Sequence, residues 1–128
     1  MQPDRLIQGI SQISIPVRSM EEAVQFYRDT IGLTLLFQIP NIAFFECSGI
    51  RLMLSVAEDA KFDHPSSVFY FHVDNITTAY ETLCTRGVSF ISEPHMVAEV
   101  GHTQTWMALF HDPDQNVRAL MSEVAVAT

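Results

Sequence analysis

The chain repeats one supersecondary pattern twice, and no other feature of the sequence limits its fold as strongly. Each copy contains a β-branched or aromatic segment, a segment with helical spacing, and a glycine that is followed by apolar residues. These segments occupy residues 12–17, 19–27 and 32–36 in the first copy and residues 68–73, 75–80 and 87–91 in the second. A later echo pairs residues 50–55 with residues 117–122. The repeat predicts two packed copies of one unit, with a shared site between them.

Length and composition are those of one domain, which we expect to span residues 1–128. Hydrophobic residues make up 48% of the 128 positions, which is enough to form a core. The net charge is −8 and basic residues are not clustered, so neither nucleic acid nor a membrane surface is expected as a partner. No signal peptide and no bilayer-spanning apolar run are recognised. Cys47 and Cys84 lack metal-type spacing and are expected to be buried, reduced thiols, which favours the cytoplasm.

Local signals predict the same order of elements in both copies. Ser19 and Asn75 are suited to begin helices, and Gly32 and Gly87 to end them. The short apolar segments predict strands at residues 10–17, 33–38, 42–47, 51–56, 68–73, 88–91, 103–111 and 117–121. Residues 92–102 are predicted to form a loop. The predicted fold is therefore α+β, with two tandem βαβββ modules at about residues 8–57 and 67–123.

Three short motifs follow one another in an order that is similar to a known superfamily. They are Phe-Tyr-Arg-Asp at residues 26–29, Gly32-Leu33, and Asp-Pro-Asp-Gln-Asn at residues 112–116. With the two βαβββ units, they resemble the vicinal oxygen chelate superfamily, which includes glyoxalase I, extradiol dioxygenases and the bleomycin-resistance proteins. Residues 93–95 and 106–108 resemble a small bacterial glyoxalase-like branch. Gln115 departs from the usual glycine of the turn, so Asn116 is expected to adopt the left-handed conformation.

The resemblance implies a curled mixed sheet that forms a cup around a small-molecule ligand, and a chain that forms a homodimer. It leaves open whether each cup lies within one chain or is shared by two. The superfamily's enzymes hold a divalent metal on the first and fourth strands of each unit, usually through His, Gln or Glu. By the repeat, those positions correspond to Gln12, Leu52, Val68 and Ala119.

These four positions cannot supply a complete set of metal ligands. Only Gln12 has a lone pair to offer, and one amide oxygen does not hold a transition metal. A shift of one residue brings in Arg51, Met53, Arg118 and Leu120, which are no better. We therefore expect no cofactor at the usual site, with a divalent metal as the less favoured alternative.

The remaining polar and aromatic residues supply candidates for contacts with a ligand. Tyr70 and His72 have strand positions that should point into the cup, and Pro94 orients His95. Large apolar side chains would form the wall of a small-molecule pocket. The predicted ligand-binding residues are Gln12, Phe37, Phe45, Tyr70, His72, His95, His102 and Trp106. Arg51 and Arg118, which the repeat pairs, are candidates for surface ion pairs or for holding an anionic ligand.

Two functions fit this set of residues. The first is a metal-independent binding protein that holds a small apolar or aromatic molecule in the cup. The second is a lyase, isomerase or dioxygenase that acts on an oxygenated small molecule. It would use a relocated metal site at His95, Glu99 and His102, or a histidine as acid and base. The first is favoured because the usual metal ligands are missing, and no catalytic residue is identified.

Overall fold

The protein forms two four-stranded sheets, one from each half of the chain, and a helix packs on each sheet. The computed structural model describes residues 6–56 and 66–126. The first half contains β1 (Gln12–Val17), α1 (Met20–Gln25) with a π-helical turn (Phe26–Thr30), β2 (Thr34–Ile39), β3 (Ile42–Cys47) and β4 (Ile50–Val56). The second half contains β5 (Phe69–His72), α2 (Ile76–Thr85), β6 (His95–Val100), β7 (Thr103–His111) and β8 (Val117–Ala125).

Both sheets have the same topology, which confirms the prediction of an α+β fold with tandem βαβββ modules. The strand orders are β1-β4-β3-β2 and β5-β8-β7-β6. In each sheet the first strand runs parallel to the fourth, and the other neighbours are antiparallel. A parallel pair needs a crossover connection, which includes α1 in one module and α2 in the other. No helix among the described residues has the length and apolarity that a bilayer crossing requires.

The helices begin and end at the predicted residues. The side chains of Ser19 and Asn75 each accept a hydrogen bond from the amide three residues further on, at 3.3 and 3.0 Å. These bonds satisfy amides that have no partner in the first helical turn. Gly32 and Gly87 have φ angles of 93° and 87°, in the left-handed region that favours glycine. The chain can therefore turn back towards the sheet at the same point of both modules.

The prediction for residues 88–102 is wrong in two respects. Residues 88–91 provide one isolated bridge, between Phe90 and Phe110, and no strand. Conversely, β6 forms within the predicted loop and pairs with β7 across a register shift between Met96 and Ala98. Hydrogen bonding to the long strand β7 outweighs the turn-like local sequence, because strand formation depends strongly on the neighbouring strand.

Two smaller expectations also need correction. Gln115 itself adopts the left-handed conformation, with a φ angle of 65°. Asn116 is instead held by Asp112, whose carboxylate accepts bonds from the Asn116 amide at 2.9 Å and from its side chain at 3.0 Å. Of the two thiols, Cys84 is exposed and Cys47 is only half-buried, so neither is a core residue.

The two modules share one packed interior, in which the π-helical turn contacts both cores. Tyr27 is buried in the core of the first module, and Phe26 packs against the cores of both. The Phe26 ring lies 6.4 Å from the ring of Phe110 on β7, and Phe71 of β5 likewise contacts both cores. Each sheet therefore turns one face towards this interior. Because side chains alternate along a strand, the other face of each sheet points away from it.

Candidate functional site

The outward face of the first sheet carries a connected group of side chains, which we call the first open face: Gln12, Phe37, Phe44, Arg51 and Met53. Arg51 Nε donates to Gln12 Oε1 at 3.0 Å, and Gln12 Nε2 lies 3.6 Å from Met53 Sδ. The Arg51 guanidinium lies 5.2 Å from the centre of the Phe44 ring, which is 4.6 Å from the Phe37 ring. This connected group is therefore apolar and aromatic, with one amide and one cation, a composition typical of small-molecule sites.

The outward face of the second sheet, the second open face, carries Tyr70 and one row of paired residues: His72, Met121, Met107 and His95. Neighbouring strands lie ~4.8 Å apart, so the two histidines at the ends of this row are separated by ~14 Å. His72 Nε2 lies 3.3 Å from an Asp74 carboxylate oxygen, and His95 Nδ1 lies 2.9 Å from the Glu93 carbonyl oxygen. The histidines are too far apart to act on one bond, and the centre of the face is apolar.

Three of the predicted ligand-binding residues lie off these two faces. Phe45 is fully buried in the interior, and Trp106 packs against the core beside α2. His102 is exposed in the turn between β6 and β7. The outward aromatic residue of β3 is Phe44, which the sequence reasoning missed. Strand alternation is the signal that could have identified it, since two consecutive residues cannot share one face.

The residues at the superfamily's metal positions do not fit a divalent ion. Leu52 faces the interior and is 4% exposed. It therefore does not share the face of Gln12, although the repeat predicts that it does. Val68 and Ala119 have no donor atom in their side chains. The one suitable atom, Gln12 Oε1, already accepts the hydrogen bond from Arg51, whose positive charge would repel a metal cation.

The alternative cluster of His95, Glu99 and His102 is drawn out along β6 and its turn. Four residues of an extended strand span ~13 Å, so His95 and Glu99 cannot bind one ion. Glu99 instead accepts a hydrogen bond from Gln104 at 3.3 Å. Within residues 6–56 and 66–126, no three His, Cys, Asp or Glu side chains converge in a way that could hold a metal.

A cleft of about 710 Å³ opens between the two modules, where the β3–β4 turn approaches α2 and the end of β5. Tyr70 and His72, two of the predicted residues, line it together with Cys47, Glu46 and several apolar side chains. Burial raises the pKa of the Cys47 thiol, and the nearby Glu46 adds to this effect. Because thiolate is the reactive form, Cys47 is a poor nucleophile at neutral pH. The volume falls in the range of small-molecule sites, ~300–1,000 Å³.

Arg118, the repeat partner of Arg51, belongs to a buried network that joins the modules. It is fully buried, and its Nε donates to the Tyr27 hydroxyl at 3.1 Å. Its Nη2 lies 3.5 Å from Asp112, which also accepts a hydrogen bond from Tyr27 at 2.7 Å. Burial raises the pKa of Tyr27 far above its ordinary value. Arg118 is therefore unavailable to a ligand and instead holds the two modules together.

The architecture places the protein in the class of α+β proteins that present cup-forming sheets from two βαβββ modules. The sequence profile of the Glyoxalase/Bleomycin resistance protein/Dioxygenase superfamily matches residues 9–119. The chain belongs to this superfamily, as the resemblance in its motifs indicates.

Individual proteins resemble the chain in part of its sequence or in its fold. The metallothiol transferase FosB of Staphylococcus haemolyticus is 34% identical over 50 residues, which are 39% of this chain and 36% of that protein. A virulence protein from Salmonella typhimurium has a TM-score of 0.75 at 18% identity, with 94% of this chain and 100% of that one covered. Lactoylglutathione lyase from Agrobacterium tumefaciens has a TM-score of 0.71 at 18% identity, with 92% and 96% covered. A superfamily member from Sphaerobacter thermophilus has a TM-score of 0.72 at 24% identity, with 92% and 99% covered.

Proposed function

We propose that the protein binds a small apolar or aromatic molecule without a metal at the superfamily's usual position. The observation that carries the proposal is the first open face, where Phe37, Phe44 and Met53 surround the Gln12–Arg51 pair. Phe37 is 50% exposed, and leaving such a surface in water is unfavourable. A ligand that covers the aromatic pair would remove this cost, and the polar pair would fix its orientation.

We further propose that a second copy of the chain completes the cup. Within one chain the two open faces point away from the shared interior, so they cannot enclose a ligand between them. The outer strands carry exposed apolar side chains: Leu36, Phe37 and Ile39 on β2, and Met96, Val97 and Val100 on β6. Such surfaces on outer strands are typical of interfaces. In a two-fold dimer, the first open face of each copy would lie opposite the second open face of its partner.

Sedimentation of a charge variant tests the dimer. Phe37→Glu would place a charge in the proposed interface, and we expect the dimer to dissociate into monomers. Thr77→Glu is the matched control, because Thr77 is exposed in the first turn of α2, away from both open faces. A monomeric wild-type protein, or a Phe37→Glu variant that stays dimeric, would contradict this arrangement.

Two measurements test the binding function. Mass spectrometry of the denatured protein should detect a retained organic molecule, and Phe44→Ala should reduce its amount. In thermal unfolding of chelator-treated protein, Ni²⁺, Zn²⁺, Mn²⁺ and Fe²⁺ should give no specific shift. A ligand at ~100 times its Kd stabilises the folded state by ~2.7 kcal/mol, so a bound metal would be easy to detect. A shift with one metal that is lost in His95→Ala would favour the enzyme instead.

A histidine-assisted enzyme is the second candidate, and the cleft between the modules is the observation that favours it. His72 and Tyr70 line this cleft, so an acid–base group lies beside a cavity of suitable size. The reaction would be that of a lyase or isomerase on an oxygenated small molecule. The two functions are distinguished by His72→Gln, which would abolish turnover by an enzyme, and by Phe44→Ala, which would reduce the amount of ligand that a binding protein retains.

A further inference from the structure

We infer that Arg51 replaces the superfamily's metal as the cationic centre of the cup, and that the ligand is an aromatic carboxylate. This inference rests on the proposed function and names the class of its ligand. Gln12 stands at a position where related enzymes place a metal ligand, and here its amide oxygen receives the hydrogen bond of Arg51. A fixed guanidinium therefore occupies the place of a metal ion, and it attracts the same negatively charged oxygens.

The charge of Arg51 is not neutralised by the described part of the chain. Its Nε donates to a neutral amide, and its guanidinium lies over the Phe44 ring. Among the described residues, neither of its terminal nitrogens donates a hydrogen bond, and no carboxylate forms an ion pair with it. These two nitrogens form a planar pair of donors, which matches the two oxygens of a carboxylate.

The acidic residue opposite Arg51 in the sheet binds the backbone of a turn. Glu46 lies directly opposite Arg51 in the register between β3 and β4. Its Oε2 accepts a hydrogen bond from the Gly49 amide at 2.6 Å, so the carboxylate is engaged by the turn that joins the two strands. Glu46 would still weaken the binding of an anion through repulsion, and removing its charge should therefore strengthen that binding.

Three of the other arginines differ from Arg51 in their partners. Arg118 is paired with Asp112, Arg28 with Asp29 at 2.8 Å, and Arg86 donates to the Thr30 carbonyl oxygen at 2.8 Å. Arg51 instead stands among aromatic rings and Met53, in a chain with a net charge of −8. A cation held in advance by an amide and a ring loses little freedom on binding. The neighbouring Phe37 and Phe44 rings would contact the aromatic part of the ligand.

Binding of three probes that share a phenyl ring and differ in the charge of the attached group tests the inference: benzoate, benzamide and benzylammonium. We expect benzoate to bind the wild-type protein about tenfold more tightly than benzamide, as a charge-assisted bidentate contact implies. Benzylammonium should bind most weakly. Arg51→Gln should lower the affinity for benzoate to that for benzamide and leave benzamide unchanged. The Arg51 Nε–H signal in a ¹⁵N NMR spectrum should shift with benzoate, a response that a purely structural arginine would not give.

Two variants serve as controls. Arg28→Gln removes the same charge at the exposed pair with Asp29 and should leave benzoate binding unchanged, whereas Glu46→Gln should strengthen it. Equal affinities for benzoate and benzamide, or benzoate binding that survives Arg51→Gln, would overturn the inference and leave the proposed binding function intact. Failure of every probe to bind at millimolar concentration would also overturn it. In that case the retained-ligand measurement decides separately whether the proposed function fails as well.

Discussion

Arg51 and Arg118 occupy equivalent positions of the repeat, yet the two modules use them in opposite ways. Both guanidinium groups stack on a phenylalanine, at 5.2 Å from Phe44 and 4.5 Å from Phe69. Arg51 is exposed on the outward face, whereas Arg118 is fully buried in the interior. The register explains the difference, because Arg51 pairs with Gln12 and Arg118 pairs with Phe69, which is one step beyond the repeat partner of Gln12. A slip of one residue moves a side chain to the other face of a sheet.

The same shift of one residue places two equivalent serines on opposite faces of their sheets. Ser55 and Ser122 are equivalent in the repeat, and each lies four residues after its arginine. Ser55 is half-buried, and Ser122 is buried without a hydrogen-bond partner among the described residues. The second module therefore encloses Arg118 and Ser122 and uses Arg118 to join the modules, while the first module keeps Arg51 accessible.

The largest expected effect comes from breaking the buried network. Arg118→Met should lower the free energy of unfolding by about 3–5 kcal/mol, because Asp112 would keep a buried charge without its cation. Urea unfolding followed by circular dichroism measures this change. Arg28→Met is the control, since it removes an exposed ion pair and should have a much smaller effect. Equal losses in the two variants would mean that Arg118 does not join the modules.

The hydroxyl of Tyr27 should contribute less than Arg118 to the free energy of unfolding, and its contribution should depend on pH. Tyr27→Phe removes the donor to Asp112 and should cost about 1–3 kcal/mol near neutral pH. Because burial raises the pKa of Tyr27 in the folded state, the folded protein binds this proton more tightly than the unfolded chain. Stability from this source is complete below the unfolded pKa of ~10 and is lost as the pH rises above it. Raising the pH above ~10 should therefore lower the free energy of unfolding more in the wild-type protein than in Tyr27→Phe. Parallel profiles of this free energy against pH would refute the prediction.

Features that neighbouring residues determine can be predicted from the sequence, whereas features that depend on pairing between distant strands cannot. The caps at Ser19 and Asn75 and the glycines at 32 and 87 act locally, so the order of elements and the tandem modules were predictable. The face on which a side chain lies depends on pairing between distant strands. For that reason Phe45 was predicted in place of Phe44, and the different fates of Arg51 and Arg118 were not predicted.

A smaller effect is expected at the two equivalent serines. Ser122→Ala removes a buried hydroxyl that has no partner in the described part of the chain, so it should stabilise the protein by about 1 kcal/mol. Ser55→Ala should change stability by less than about 0.5 kcal/mol, because Ser55 lies on the outward side of β4. Thermal unfolding of both variants measures the difference. Destabilisation by Ser122→Ala would show that its hydroxyl has a partner in solution, such as a buried water molecule.

The smallest effect on stability, and the sharpest test of the comparison, is expected at Arg51. Arg51→Met is the same substitution as in the Arg118 variant, at the equivalent position of the repeat, and should change the free energy of unfolding by less than about 0.5 kcal/mol. Its hydrogen bond to Gln12 and its contact with Phe44 are both exposed, so water and the methionine side chain can replace them. Urea unfolding of the two variants side by side gives the result. A large loss at Arg51 would mean that it also supports the fold, and its exposed charge would then need no ligand to explain it.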